Sequence, residues 1–276
     1  MSYLDCFHYQ ITGNPKGHKL VFLHGLMGSA NNWRRVTPEF EADFHILLYD
    51  QRGHGRSFQP EQGYRPLDYA QDLHQILDEL KWKRTALVGH SMGGRNALEF
   101  ASHFSQRVTA LVLEDIGPDT NAAAATRIER LLNEVPTPFS SREEARRFFA
   151  QEYPNRIRWY PQAEVVSRFL HSNLETKDDG RVDWRFAKSA VLQSLTEGRR
   201  EDRWEALAHL KMPCLFIRGE HSQDLSPSIF ARMLQVQPQA QGVEVPGAGH
   251  WVHFDQPESF VQAVKRFFAS TLMANL

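Results

Sequence analysis

A G-x-S-x-G sequence at residues 89–93 (GHSMG) is the feature that most restricts how this chain can fold. A short apolar run, residues 86–88, comes directly before it, and a helical stretch, residues 96–103, follows. This strand–turn–helix context is typical of a nucleophile elbow, in which the turn strains the serine backbone and requires small neighbours. The turn presents the hydroxyl above a sheet edge, beside a helix N-terminus that favours negative charge. We therefore predict that Ser91 is a nucleophile.

Short apolar runs alternate with amphipathic helical stretches along most of the chain, as a parallel sheet covered by helices requires. These runs are brief and rich in branched residues, so each is predicted to be a strand. The predicted strands are residues 19–24, 45–50, 85–88, 109–114, 214–218 and 242–245. Residues 67–80, 228–234 and 259–268 carry apolar side chains at helical spacing. The predicted fold class is α/β, with a mostly parallel central sheet flanked by helices.

One stretch, residues 119–209, breaks this alternation, because arginine-rich amphipathic segments replace the strands. It contains 15 basic and 15 acidic residues, which indicates a solvated helical insertion rather than a charged arm. Four prolines divide it into short helices. The aromatic side chains between residues 148 and 186 are expected to form mainly the core of the insertion itself.

The charge of the chain is balanced, with 32 basic and 33 acidic side chains and a formal net charge of -1. Nucleic-acid and anionic-membrane partners normally require a basic excess, so the composition argues against both. The sequence has no run of 18 apolar residues and no pattern of a secretory signal, so no membrane span is expected. Two isolated cysteines, Cys6 and Cys214, are expected to be free thiols in a reducing compartment, and we predict a cytoplasmic location.

A glycine-rich loop, residues 247–251 (GAGHW), follows the last predicted strand and precedes the last predicted helix. Its histidine, His250, is therefore expected at the carboxyl end of a strand, at the same sheet edge as Ser91. A serine hydroxyl needs a base that removes its proton, and we predict that His250 is this base. His253, three residues on, is the rival candidate, whereas His90 is expected to have a positional role inside the turn.

The oxyanion that forms during attack on a carbonyl group needs backbone N–H donors. Residues 24–28 (HGLMG) follow a predicted strand directly and are typical of a loop that supplies one such donor. We predict an oxyanion hole formed by the N–H groups of Leu26 and Met92. His24 is expected to be a structural hydrogen-bonding residue.

Taken together, these motifs resemble the α/β-hydrolase superfamily, whose order and spacing are matched by residues 24–25, 50–57, 89–94 and 249–251. The resemblance implies that residues 1–118 and 210–276 form the α/β-hydrolase core. It also implies that residues 119–209 are a helical cap, or lid. More narrowly, residues 114–118 (EDIGP) and 248–253 (AGHWVH) are similar to those of the YbfF-like bacterial esterases.

The third member of a serine–histidine–carboxylate triad orients the histidine and stabilises its charged form. Many α/β-hydrolases carry this acid three residues after a glycine at the end of the penultimate strand, but here that position holds Ser222. Two candidates remain, because Asp115 ends the strand after the elbow helix and Asp224 lies two residues past the usual position. The resemblance to the YbfF-like esterases places the acid at Asp115, with Asp224 as the alternative.

The motifs predict a serine hydrolase that cleaves small carboxylic esters or thioesters through an acyl-enzyme, with no cofactor and no metal ion. Serine at position 91 argues against the related epoxide and carbon–halogen hydrolases, which place aspartate there. Hydrolases of C–C bonds and perhydrolases keep the same triad and stay open, as does a non-catalytic small-molecule receptor on the same fold. A short or medium acyl chain is expected, because a cap with bulky aromatic side chains encloses a limited apolar pocket.

Overall fold

A mostly parallel sheet runs through the centre of the protein in this computed structural model, which describes residues 2–120, 122–160 and 162–272. In chain order the strands of these residues are β1 Tyr9–Gly13, β2 His18–Leu23, β3 Phe44–Tyr49, β4 Thr85–His90, β5 Val108–Glu114, β6 Leu174–Thr176, β7 Val182–Trp184, β8 Cys214–Gly219 and β9 Gln241–Val245. Seven of them form the central sheet in the order β1-β3-β2-β4-β5-β8-β9, and only β1 runs antiparallel to its neighbour. The predicted α/β fold class is confirmed.

Helices cover both faces of this sheet. In chain order the α-helices of the described residues are α1 Pro66–Glu79, α2 Met92–His103, α3 Ala122–Asn133, α4 Arg142–Arg147, α5 Tyr153–Arg156, α6 Ala163–Ser172, α7 Lys188–Gly198, α8 Trp204–Ala208, α9 Pro227–Val236, α10 Val252–Asp255 and α11 Pro257–Thr271. Side chains of α1, α2, α8 and α9 pack on one face, and α11 packs on the other. Strand side chains alternate between the two layers, so Leu111 and Val112 of β5 lie in different clusters. None of the helices in the described ranges is both long enough and apolar enough to span a bilayer.

The six predicted strands are all present, as β2, β3, β4, β5, β8 and β9. The edge strand β1 was not predicted, because its side chains are exposed or half-buried and its sequence, YQITG, has no continuous apolar run. The apolar side chains predicted to lie on one side of α1 are buried. Leu73 and Ile76 pack in the core on one face of the sheet, and Tyr69 lies in a small separate cluster. The inner strands could be predicted from the sequence because strands buried on both faces form continuous apolar runs.

The segment between β5 and β8 contains α3 to α8, together with a small antiparallel hairpin formed by β6 and β7. The expectation of helices alone is wrong in this respect. Each of the two hairpin strands has only three residues, and a run of that length gives no strand pattern. Phe139 extends the hairpin by pairing with Val182.

The aromatic side chains of this segment form a cluster above one edge of the sheet. Its buried members include Phe148, Phe149, Tyr153, Phe169, Trp184 and Phe186. Leu26, Met27 and Trp251, from loops of the sheet edge, lie in the same cluster. Leu207 of α8 does not belong to this aromatic cluster, because it packs with the helices that cover one face of the sheet. The segment therefore lies directly over the loops that follow β2 and β9.

Candidate active site

Ser91 lies on the tight turn between β4 and α2, at the carboxyl edge of the sheet. Its φ of 51° is in the left-handed region, where a non-glycine residue is strained. A Cβ at Gly93 would lie 2.2 Å from the carbonyl oxygen of Leu23, and one at Gly89 would lie 2.5 Å from that of Gly93. Both positions therefore require glycine, which explains the G-x-S-x-G pattern physically.

His250 lies in the loop between β9 and α10 and faces Ser91 across the sheet edge. Its Nε2 is 2.9 Å from Ser91 Oγ, and its Nδ1 is 2.7 Å from Asp115 Oδ2. Because Nδ1 faces a carboxylate, it carries the proton, which leaves Nε2 as an acceptor for the serine hydroxyl. His90 donates from Nε2 to the carbonyl oxygen of His250 at 2.8 Å, so His90 positions the loop as expected.

Asp115, directly after β5, is fully buried and accepts three hydrogen bonds. Its Oδ1 accepts from the N–H of Gly219 at 3.0 Å, and its Oδ2 accepts from Ser222 Oγ at 2.5 Å as well as from His250. Ser222, which occupies the commoner acid position, is thus a donor to the carboxylate. This role of Ser222 is one that sequence reasoning missed.

Asp224 is also close to the histidine but is arranged differently. Its Oδ2 lies 3.6 Å from His250 Nδ1, which is too far for a hydrogen bond. Its Oδ1 accepts from Arg127 Nη2 at 2.8 Å and lies 3.9 Å from Arg199 Nη2. The structure therefore brings both candidate acids to His250, with Asp115 hydrogen-bonded and Asp224 paired to arginines of the inserted segment.

The charges around His250 shift its proton affinity. Burial alone would lower the pKa of His250, but the attraction of Asp224 and Asp115 outweighs it, so this pKa is raised above its ordinary value. Burial would raise the pKa of Asp224, yet the attraction of His250, Arg199 and Arg127 holds it below its ordinary value. Asp224 is thus an ionised carboxylate that favours the imidazolium form of His250.

The rival histidine, His253, is not part of this arrangement. Its backbone N–H and its Nδ1 both bind Glu114 Oε1 at 2.8 Å, in a fully buried pair. Its ring packs against Trp33, with 4.3 Å between ring centroids. Glu114 points away from Asp115, as the alternation of side chains along a strand predicts. This pair holds α10 against the sheet and does not reach Ser91.

The two residues predicted to supply the oxyanion donors line a cavity together with Ser91. Met92 begins α2, and Leu26 lies in the loop after β2. Among the described residues, neither backbone N–H donates a hydrogen bond to the protein. The next amide, that of Met27, is already used, because it donates to His54 Nε2 at 3.2 Å. Leu26 and Met92 therefore present free donors next to Ser91.

Two small cavities, each of about 30 Å³, meet at Ser91. Both are lined by Leu26, Ile128 and Arg199, so core and inserted segment contribute to the same walls. A volume of this size accommodates about one water molecule, so the space at Ser91 is narrow. Within the described ranges, no group of three or more His, Cys, Asp or Glu side chains could hold a metal ion.

The chain is similar to known hydrolases along most of its length. The alpha/beta hydrolase fold family matches residues 19–257. The esterase YbfF of Escherichia coli (strain K12) is 30% identical over 251 residues, covering 90% of this chain and 92% of its own. The 2-(acetamidomethylene)succinate hydrolase of Mesorhizobium japonicum is 29% identical over 251 residues, covering 91% and 88%. A solved E-2-(acetamidomethylene)succinate hydrolase structure has a TM-score of 0.83 at 28% identity, covering 95% of this chain and 94% of that one.

Proposed function

The chain belongs to the α/β-hydrolase fold family, which confirms the resemblance drawn from its motifs, and on that premise we propose that it is a serine hydrolase of small carboxylic esters or thioesters. The observation that carries this proposal is the line of hydrogen bonds from Ser91 through His250 to Asp115, at 2.9 and 2.7 Å. The similarity of the chain to a bacterial esterase supports the proposal that the bond cleaved is an ester bond.

In the proposed reaction, Ser91 Oγ attacks the carbonyl carbon while its proton passes to His250 Nε2. The Leu26 and Met92 amides donate to the oxyanion, and the N-terminus of α2 adds a favourable dipole. Asp115 accepts the Nδ1 proton in a hydrogen bond and stabilises the imidazolium. The tetrahedral intermediate then collapses to an acyl-enzyme, and the leaving alcohol or thiol takes the proton from His250.

Water completes the cycle. His250 Nε2 accepts a proton from a water molecule, whose oxygen attacks the acyl carbon. The same two amides hold the second oxyanion, and the carboxylic acid leaves as Ser91 Oγ recovers the proton from His250. In both acylation and deacylation, every transferred proton therefore passes through His250 Nε2, which lies 2.9 Å from Ser91 Oγ.

We propose that residues 119–209 act as the cap over this site, with the remainder as the catalytic core. The aromatic cluster of this segment shares residues with the loops around Ser91, and the cavities beneath it are small. Small cavities support short or medium acyl chains. A series of p-nitrophenyl esters from acetate to laurate should give the highest kcat/KM below about eight carbons, and a clear maximum at laurate would contradict this.

We further propose that the protein works in the cytoplasm on a small-molecule substrate. Cys6 and Cys214 are both free thiols, which suits a reducing compartment. The balanced charge of the chain gives no basic excess for a nucleic-acid partner. Fractionation of the native host, with detection by antibody, tests the location.

Reaction with a fluorophosphonate probe tests the catalytic proposal. The activated hydroxyl of Ser91 should react covalently, and Ser91→Ala should abolish both labelling and ester hydrolysis. Ser194→Ala is a matched control, because Ser194 lines a cavity at Ser91 but its hydroxyl binds Tyr69. This control should still label. A non-catalytic receptor on the same fold would give no labelling of the wild type, and this result would overturn the proposal.

A further inference from the structure

A largely buried arginine at the end of α7, Arg199, lines the cavities at the proposed nucleophile. The side chain of Arg199 is 11% exposed and lines both cavities that meet at Ser91. In the described part of the chain its polar contact is with Asp224, at 3.9 Å, which is beyond hydrogen-bonding distance. A guanidinium carries five N–H donors, so this side chain has N–H groups available to a ligand in the cavity.

The carboxylates around Arg199 do not fully balance its buried positive charge. Asp224 and Asp119 attract it and Arg127 repels it, while Asp224 is already hydrogen-bonded to Arg127. Burial outweighs these attractions, so the pKa of Arg199 is lowered. A buried charge with incomplete partners costs free energy unless another group completes it.

The neighbouring arginine, Arg95, shows the contrast. It lies on the same cavity wall, but its two Nη atoms donate to the carbonyl oxygens of Gly117, Asp119 and Glu201 at 2.9 to 3.1 Å. The two Nη atoms of Arg95 therefore hold the loop after β5, and only its buried Nε has no partner in the described part of the chain. Arg199 has no comparable structural role, which leaves its guanidinium for a ligand.

We propose that Arg199, with Arg127 beside it, forms a carboxylate-binding subsite next to Ser91, so that the preferred ester or thioester carries a second, anionic carboxylate group. The planar guanidinium fork matches a carboxylate in a bidentate pair. Because Arg199 and Ser91 line the same small cavities, one small substrate can present a carboxylate to Arg199 and a carbonyl group to Ser91. The inference rests on the proposed hydrolase function and narrows its substrate class.

Two esters of the same size test this subsite. The two carboxylate oxygens of ethyl hydrogen succinate are replaced by two methyl groups in ethyl 4-methylpentanoate. The release of acid from each ester, followed in a pH-stat, gives kcat/KM. The wild type should favour the charged ester. Arg199→Met keeps most of the side-chain volume and should reduce the ratio of the two kcat/KM values about 10- to 100-fold. Arg199→Lys keeps the charge and should restore part of the ratio.

Arg200→Met is the matched control, because Arg200 is the next residue in the chain but its side chain is 73% exposed. It should leave the ratio unchanged. A wild type that labels with fluorophosphonate and hydrolyses both esters equally well would overturn the subsite alone. An Arg199→Met variant that labels normally and keeps the wild-type ratio would do the same. A wild type that neither labels nor hydrolyses either ester would overturn the proposed function itself.

Discussion

Replacing each of the two carboxylates beside His250 in turn tests how the site works. In Asp115→Asn, the amide NH₂ group would face a donor in either orientation, since Gly219, Ser222 and His250 all donate to this carboxylate. At least one hydrogen bond is therefore lost, and the negative charge that stabilises the imidazolium is lost with it. Asp224→Asn removes a charge but no hydrogen bond to the imidazole.

The expected magnitudes differ accordingly. Loss of the hydrogen-bonded carboxylate of a triad, with the wrong histidine tautomer, reduces kcat by about 10⁴-fold in the serine protease that serves as the reference case. We expect a loss of 10³- to 10⁴-fold for Asp115→Asn. A charge at 3.6 Å attracts an imidazolium by about 4 to 5 kcal/mol at an effective dielectric constant of about 20, and the opposing charge of Arg199 offsets part of this attraction. Asp224→Asn also leaves the Asp115–His250 hydrogen bond, and therefore the histidine tautomer, unchanged. We expect a loss of about 10-fold or less for Asp224→Asn.

The assay is hydrolysis of p-nitrophenyl butyrate by both variants at pH 8, with kcat and KM determined separately. Thermal unfolding of each variant shows whether the fold survives. The reasoning is refuted if Asp224→Asn loses orders of magnitude in kcat while Asp115→Asn stays within 10-fold of the wild type. That outcome would make Asp224 the acid and Asp115 a structural carboxylate.

Two further predictions follow from the same geometry. His250 must be neutral to act as a base, so its raised pKa places the acid limb of kcat/KM at a higher pH than an ordinary histidine would give. Asp224→Asn removes the largest attraction that raises this pKa and should move the limb to lower pH in a pH–rate profile. An unmoved limb would contradict this effect of Asp224. Gly93→Ala should lower the free energy of unfolding by about 3 kcal/mol, because its Cβ meets the Leu23 carbonyl at 2.2 Å, whereas Gly198→Ala, with open space around its Cβ, should raise it by about 0.5 to 1 kcal/mol; urea titration of both variants checks this.

Much of the fold could be predicted because a sheet buried on both faces leaves short apolar runs in the sequence. The edge strand β1 and the β6–β7 hairpin leave no such run, since their side chains are partly exposed or too few. The positions of Ser91 and His250 could be predicted because loops at the carboxyl ends of parallel strands meet at one edge. Arg199 could not, because it is one of many arginines in a charge-balanced segment and only the packing shows which of them is buried.

The placement of the acid is explained by the pairing of two neighbouring strands. β5 and β8 lie side by side, and the N–H of Asp115 continues their ladder by donating to Ile217 at 2.8 Å. A carboxylate just after β5 therefore reaches the same point as one a few residues after β8. With Asp115 there, Ser222 donates to it, and Asp224 pairs with Arg127 and Arg199 of the segment between β5 and β8.

Asp224 consequently connects two parts of the proposed mechanism. Its one oxygen faces His250 and its other binds Arg127, next to Arg199. A substrate carboxylate that binds Arg199 would compete with Asp224 for these cations. Asp224 would then act more strongly on His250 and favour its imidazolium form as the oxyanion develops. Substrate recognition and general-base catalysis would thus be coupled through one carboxylate. Because Asp224→Asn removes the competing charge, it should strengthen the preference for the charged ester and shift the acid limb of the pH profile to lower pH.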